Sequence, residues 1–372
     1  MDEMRGKARG IGGVGNEKME EERYNFILQM NFKNILIAVG ISVIVGLYLQ
    51  DSKNGTVSQG FVEKKYQRLR KLFDQILKYE KEGVTVAVYK NNKLIADLWG
   101  GYADRESLRL WERDTLTIGF STTKVIAALI VAILVSRNQL KYEEKVVKYW
   151  PEFGKHGKDN VTIQWLVEHK AGLIKFDGEL KLEDGNNYQH ISRLIEETKP
   201  VWPPGTKVGY HAITYGWLID QIVRRADVKK RGIAEFYREE IRPLASDKDY
   251  FIGLPHSELH RLARVVPATR REFIKAVILN PFYTQFCLRN LLENFGTINC
   301  HGLMDIAGTY PSWLGIMQWE LPYNNPKVQQ IENTAVNGFG TARGFASAVS
   351  AILQVPNFES SPKNLFPNHY CD

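Results

Sequence analysis

Residues 125–135 are eleven apolar side chains without a break. Such a run falls short of the roughly 20 residues needed to cross a bilayer, and it suits a helix buried on every side. Upstream the rhythm differs. Leu69, Leu72, Phe73, Ile76 and Leu77 recur at helical spacing within 62–79, and Gly83 ends that element. Two β-rich runs, 84–89 and 94–98, flank Asn91-Asn92 and predict a hairpin that closes at Gly100-Gly101. Downstream, 161–169 reads as a helix stopped by Ala171-Gly172. Residues 202–205 (Trp-Pro-Pro-Gly) make a turn, and 209–212 open a helix that runs to about Ala226. Residues 233–350 read as further helical and loop segments, and no internal repeat is visible.

The first fifty residues follow another pattern. Residues 1–25 are rich in Gly and Glu and read as disordered; their six acidic side chains argue against a mitochondrial transit peptide. Residues 34–50 carry no charge and lie between Lys33 and Asp51, which predicts a single-pass membrane anchor. Its orientation stays open, because Arg23 and Lys33 on one side face Lys53, Lys64 and Lys65 on the other. The sequons at Asn54 and Asn160 permit a lumenal or extracellular domain without fixing the compartment. The expected plan is a disordered 1–33, an anchor 34–50, a linker 51–59, a globular 60–350 and an irregular tail 351–372.

Composition narrows the class. A hydrophobic content of 44% with 24% charged residues belongs to a globular protein of one large or two medium domains. The net charge of +7 is spread along the chain in short clusters without interleaved aromatics, which argues against nucleic acid as a partner. Cys287, Cys300 and Cys371 offer neither metal spacing nor a disulfide framework.

Ser121 and Lys124 stand three apart at the start of the apolar run. If that run is a helix, they share one face of its first turn. A hydroxyl there lies among unpaired backbone N–H groups and the positive end of the helix dipole, a setting that favours negative charge. A lysine held against apolar surroundings is driven toward its neutral amine and can act as a base. Together they could form an activated nucleophile of the Ser-Lys type. On spacing alone the more ordinary reading is a capping serine followed by a solvated first-turn lysine. A second copy of the spacing, Ser360 to Lys363, has no helix behind it and reads as coincidence. A nucleophile elbow fits worse, since 119–123 lacks its second Gly and no clear strand precedes it. No motif ties a His to Ser121, which leaves a Ser-His-Asp triad unsupported.

Several segments then agree, in order, with one family. They are Gly-Gly-Tyr-Ala-Asp at 100–104, Trp111 with Asp114-Thr115, Phe-Ser-Thr-Thr-Lys at 120–124 and Tyr-Trp-Pro-Glu-Phe at 149–153. His-Lys-Ala-Gly-Leu at 169–173, Pro-Gly-Thr at 204–206, Gly-Tyr-His-Ala at 209–212, Tyr-Gly-Trp-Leu at 215–218 and Asn-Gly-Phe-Gly-Thr-Ala-Arg at 337–343 follow. Over about 60–350 the chain resembles the serine β-lactamase and penicillin-binding-protein superfamily. More narrowly, it resembles the class C-like esterase branch that includes the animal β-lactamase-domain proteins. The resemblance implies an α/β (α+β) fold, with an antiparallel sheet flanked by helices plus an all-helical subdomain. It implies Ser121 as the acylated nucleophile, Lys124 as its proton partner, and Tyr210 as the residue that helps pass the proton to the leaving group. A phenol, with an ordinary pKa near 10, serves as a base only beside a cation, and Lys124 could be that cation. Ala212 stands where the older motif has Asn. The implied substrate is a small ester, amide or peptide, and no metal or organic cofactor is implied.

The family's third motif is a Lys or His, then Thr, Ser or Gly, then Gly, and it should follow 337–343 at a distance. Only 29 residues follow Arg343, and none of them form it. The resemblance therefore predicts a C-terminally truncated form whose sheet keeps only the hairpin of about 84–98, with an open edge. Turnover would be impaired, since one lost oxyanion donor costs about 10²- to 10³-fold in a protease. Three readings result: a membrane-anchored serine hydrolase, a membrane-anchored non-catalytic binding or scaffold protein, and a simple membrane tether.

Overall fold

The computed structural model describes residues 56–80, 82–267, 269, 272, 280, 307–315 and 321–354. In chain order the elements that matter here are β1 (Gln59–Val62), α1 (Gln67–Tyr79), β2 (Gly83–Lys90), β3 (Lys93–Asp104), β4 (Arg109–Leu110) and β5 (Thr117–Ile118). Then come α2 (Thr123–Ser136), α3 (Ile163–Val167), α4 (Tyr188–Glu197), α5 (Thr214–Ala226), α6 (Ile233–Phe236) and β6 (Tyr250–Ile252). The last are α7 (Pro326–Gln329), β7 (Gly338–Gly340) and α8 (Ala342–Ile352).

The apolar run is α2, and the core surrounds it. Ile126, Ala127, Ile130, Val131 and Leu134 have no exposed surface. Each large side chain buried in this way contributes about 1.5–3 kcal/mol. Helix α5 packs across α2 and brings Leu218, Ile222 and Val223 into the same core.

The expectation of a single-pass membrane protein is corrected. Among the described residues no helix is long and apolar enough to cross a membrane. The most apolar helix, α2, has 14 residues, or about 21 Å at ~1.5 Å per residue against a hydrocarbon core of ~30 Å. The stretch 34–50, on which the expectation rested, lies outside the described residues, as does 355–372 of the tail.

The α/β architecture is the one expected, with antiparallel sheets and flanking helices. Strands β2 and β3 form the predicted hairpin, with Val86 opposite Leu98 and Ala87 opposite Asp97. Its turn residues Asn91 and Asn92 both take left-handed φ, 49° and 59°, the geometry that matches the twist of the paired strands. The hairpin does not stand alone, which corrects the expectation of a two-stranded remnant. β1 pairs along the other side of β3, in a stretch whose first residue had read as linker. Phe73 and Leu77 of α1 pack on Val62, Ala96 and Leu98, and α8 lies against β2. A second sheet has the order β5-β7-β6. Its strands are two or three residues long, too short for any period to show in the sequence.

A buried ion pair fastens α8 to the first sheet. Arg343 donates from Nη1 to Asp97 Oδ2 at 2.7 Å and from Nε to Asp247 Oδ2 at 2.5 Å. Asp97 and Arg343 are 2% and 6% exposed, so neither charge can turn to water for compensation. Arg343→Ala is expected to destabilise the fold by about 3 kcal/mol, the low end for breaking a buried pair, since Arg113 Nε stays 3.8 Å from Asp97 Oδ2. Urea denaturation followed by tryptophan fluorescence checks this, and the double variant Asp97→Leu/Arg343→Met should recover most of the loss.

Candidate functional site

The position of Ser121 is set by a junction between α2 and the second sheet. Gly119 N donates to Gly338 O at 2.7 Å, and Gly338 N donates to Thr123 Oγ1 at 3.0 Å. That hydroxyl also donates to Phe120 O at 2.7 Å and accepts from Tyr250 Oη at 3.2 Å. One threonine thus uses its donor and both acceptor positions on three separate segments. A Cβ at residue 338 would fall 2.0 Å from Tyr250 Oη and 2.3 Å from Thr123 Oγ1, so only glycine fits. Phe120 takes a left-handed φ of 43°, a strain of about 1–3 kcal/mol for a non-glycine residue. Its ring stands edge-on to buried Tyr323 with centroids 4.9 Å apart. A short strand, β5, does precede this turn, contrary to the sequence reading.

Lys124 points from the first turn of α2 into the interior and is only 9% exposed, so it is not the solvated lysine of the alternative reading. Its Nζ donates to Ala212 O at 2.8 Å, to Ala335 O at 2.9 Å and to Ser121 Oγ at 3.3 Å. It lies 4.8 Å from the ring centre of Tyr210 and 5.8 Å from that of Tyr215. Burial lowers its pKa to about 7. The charge state changes what the geometry does. An ammonium directs its third N–H at Ser121. A neutral amine has two N–H bonds; the two carbonyls take both, and the lone pair is left facing Ser121 Oγ.

Tyr210 completes the cluster, donating from Oη to Ser121 Oγ at 2.6 Å. The loop that carries it is fastened by His211. Leu173 N donates to His211 Nε2 at 3.0 Å, which places the ring hydrogen on Nδ1, donating to Gly209 O at 2.7 Å. His211 N in turn donates to His169 Nδ1 at 3.2 Å. Burial, helped by neighbouring positive charge, lowers His169 to about 4 and His211 to about 3. Both rings therefore remain neutral acceptors near pH 7. His211 joins the 169–173 turn to the 209–212 turn, while Trp217 is core and donates its indole N–H to Gly185 O at 3.2 Å.

The structure brings Ser121, Lys124 and Tyr210 within hydrogen-bonding distance of one another through one oxygen. Sequence reasoning missed the carbonyls of Ala212 and Ala335, because a main-chain acceptor leaves no signature in residue type. His169 and Tyr215 lay inside recognised segments but had been given no role. Among the described residues no group of three or more His, Cys, Asp or Glu side chains is gathered as a metal site would be.

Comparison with known proteins addresses the family and the fold. The family profile described as Beta-lactamase matches residues 69–360. The chain is 28% identical over 274 residues to the Esterase/beta-lactamase LipL of Mycobacterium tuberculosis, covering 73% of this chain. It spans 58% of that relative's length. A solved family VIII carboxylesterase superposes with a TM-score of 0.62 at 26% identity, over 77% of this chain and 68% of that one. A penicillin-binding protein homolog from Caulobacter crescentus gives 0.60 at 29% identity, over 77% and 69%. With a match across most of its length and a shared fold, the chain belongs to the beta-lactamase family.

Proposed function

We propose that the chain is a serine hydrolase that opens small ester or amide substrates through an acyl-Ser121 intermediate. The observation that carries this reading is the meeting of Lys124 Nζ and Tyr210 Oη on one serine oxygen, with Lys124 buried enough to be substantially neutral near pH 7. Ser121 Oγ attacks the acyl carbon and its proton passes to the lone pair of Lys124. The tetrahedral adduct collapses, the bond to the leaving group breaks, and Tyr210 Oη donates the proton that the departing oxygen or nitrogen requires. Lys124 reprotonates Tyr210. Water then attacks the acyl carbon, its proton leaves through the same pair, and Ser121 is restored with release of the acid. The likeness to an esterase/beta-lactamase and to a carboxylesterase supports esters as the first substrates to try.

The test is covalent labelling of the full chain with a fluorophosphonate, followed by peptide mapping. One adduct per folded chain, on the peptide that contains Ser121, is expected. A folded chain that stays unlabelled, or carries the adduct on another serine, would overturn the reading.

A further inference from the structure

Asn333 lies behind the site, has no exposed surface and belongs to none of the recognised segments. Its Oδ1 accepts from Ala335 N at 2.8 Å, and its Nδ2 donates to Ile213 O at 3.3 Å. These are the two stretches whose carbonyls hold Lys124: Ala335 O follows the amide that Asn333 binds, and Ala212 O precedes the carbonyl that Asn333 binds. One amide side chain thus bridges the two walls of the lysine's cradle. Gly216, one turn into α5, is fitted to it, since a Cβ there would lie 2.2 Å from Asn333 Oδ1.

We infer that Asn333 is a positioning residue: by joining Ile213 O to Ala335 N, each next to a carbonyl that holds Lys124, it fixes the spacing of the two carbonyls that orient Lys124 toward Ser121. The kinetic part of this inference rests on the acyl-Ser121 reading. The amine's lone pair reaches Ser121 only while both carbonyls occupy its two N–H bonds. If either wall drifts, the amine turns, water enters and the cost of charging it falls. Among the described residues, the other titratable groups that face Lys124 are Tyr210 and Tyr215 across its Nζ, with His169 and His211 behind them. Burial holds the Tyr215 phenol above its ordinary pKa and both imidazoles below theirs, so those three bring no charge to the site, and the cradle and its dryness govern the lysine's ionisation.

The experiment compares Asn333→Ala and Asn333→Asp in the full chain with Thr334→Val. The last removes an adjacent buried side-chain contact, Thr334 Oγ1 to Gly216 O at 3.5 Å, and leaves both side-chain bonds of Asn333 in place. Lys124 is titrated by competitive trace acetylation with mass-spectrometric readout, which needs no turnover. Ester hydrolysis per fluorophosphonate-titrated site gives kcat, KM and the pH profile. Asn333→Ala is expected to lower kcat about tenfold or more with KM moved less than about threefold. It should also raise the titration midpoint of Lys124 and shift the acid limb upward. Asn333→Asp, whose carboxylate favours the ammonium, should raise the midpoint further. Thr334→Val should lower stability alone.

If the Asn333 variants lose stability but keep the parental Lys124 titration, the inference is wrong. If the parent never acylates Ser121 but the Lys124 midpoint still moves, the positioning role stands and the hydrolase reading fails. Should Asn333→Ala not fold, Asn333→Ser carries the same comparison.

Discussion

Ester hydrolysis by a chain carrying Ser121→Ala is expected to fall by about 10⁴-fold or more, as for other enzymes stripped of a serine nucleophile. Tyr210 Oη and Lys124 Nζ point at the serine oxygen, and no other hydroxyl is described as bonded to either group. Water admitted to the space would be a far weaker nucleophile, held by no covalent tether at the turn. Because Ser121 is partly exposed and makes no helix-capping bond, the substitution should leave the unfolding midpoint within about 0.5 kcal/mol of the parent, as surface changes do. Release of p-nitrophenol from a short-chain ester gives the rate, and thermal unfolding supplies the control. A variant that is folded and still turns over would show that another residue is the nucleophile.

Lys124→Met is the second large effect, and it lowers the rate while removing a pH dependence of stability. The methionine keeps the volume and removes the amine, so acylation should drop by about 10²- to 10⁴-fold, the range of a lost general base. In the parent, hydrolysis should rise with pH through about 7, as the buried ammonium releases its proton. Stability follows the same titration. In the folded chain Lys124 titrates near 7 and in the unfolded chain near its ordinary 10.5. Between those values the unfolded chain binds more protons, so the parent gains stability as pH rises from 7 to 10.5. Below 7 both states hold the proton and the contribution is constant. The methionine variant lacks this slope. Urea midpoints at pH 6.5 and 9.5 should therefore move in the parent's favour at the higher pH. Parallel curves for the two chains would mean that Lys124 keeps its ordinary pKa in the fold.

Much of this site could be read in the residues. Ser121 and Lys124 announced themselves by standing ahead of an unbroken apolar run, while the sequence could not tell a buried lysine from a solvated one. Tyr210 was reachable through resemblance alone, since a tyrosine before a helix is ordinary. The hairpin was visible because its strands are β-rich apolar runs and its turn is Asn-Asn. β5, β6 and β7 were invisible because a strand of two or three residues has no period, yet they hold the turn that carries Ser121. Asn333 and the carbonyls of Ala212 and Ala335 were beyond reach for a different reason. Their part is played by backbone geometry across segments far apart in the chain, which no local pattern records. The membrane-protein expectation rested on hydropathy in 34–50 alone, and no helix among the described residues supports it.

The bond between Thr123 and Gly338 joins residues 215 positions apart. Contacts of such long range form late, because the loop between them must close before they contribute. During synthesis at ~5–20 residues per second, about 10–40 s separate the emergence of the serine turn from that of the glycine that secures it. Throughout that interval α2 is a nascent apolar helix without its framework, open to chaperones and to other chains. The finished site therefore also reports completion: a serine that can be labelled marks a polypeptide that has been made, and folded, at least as far as β7.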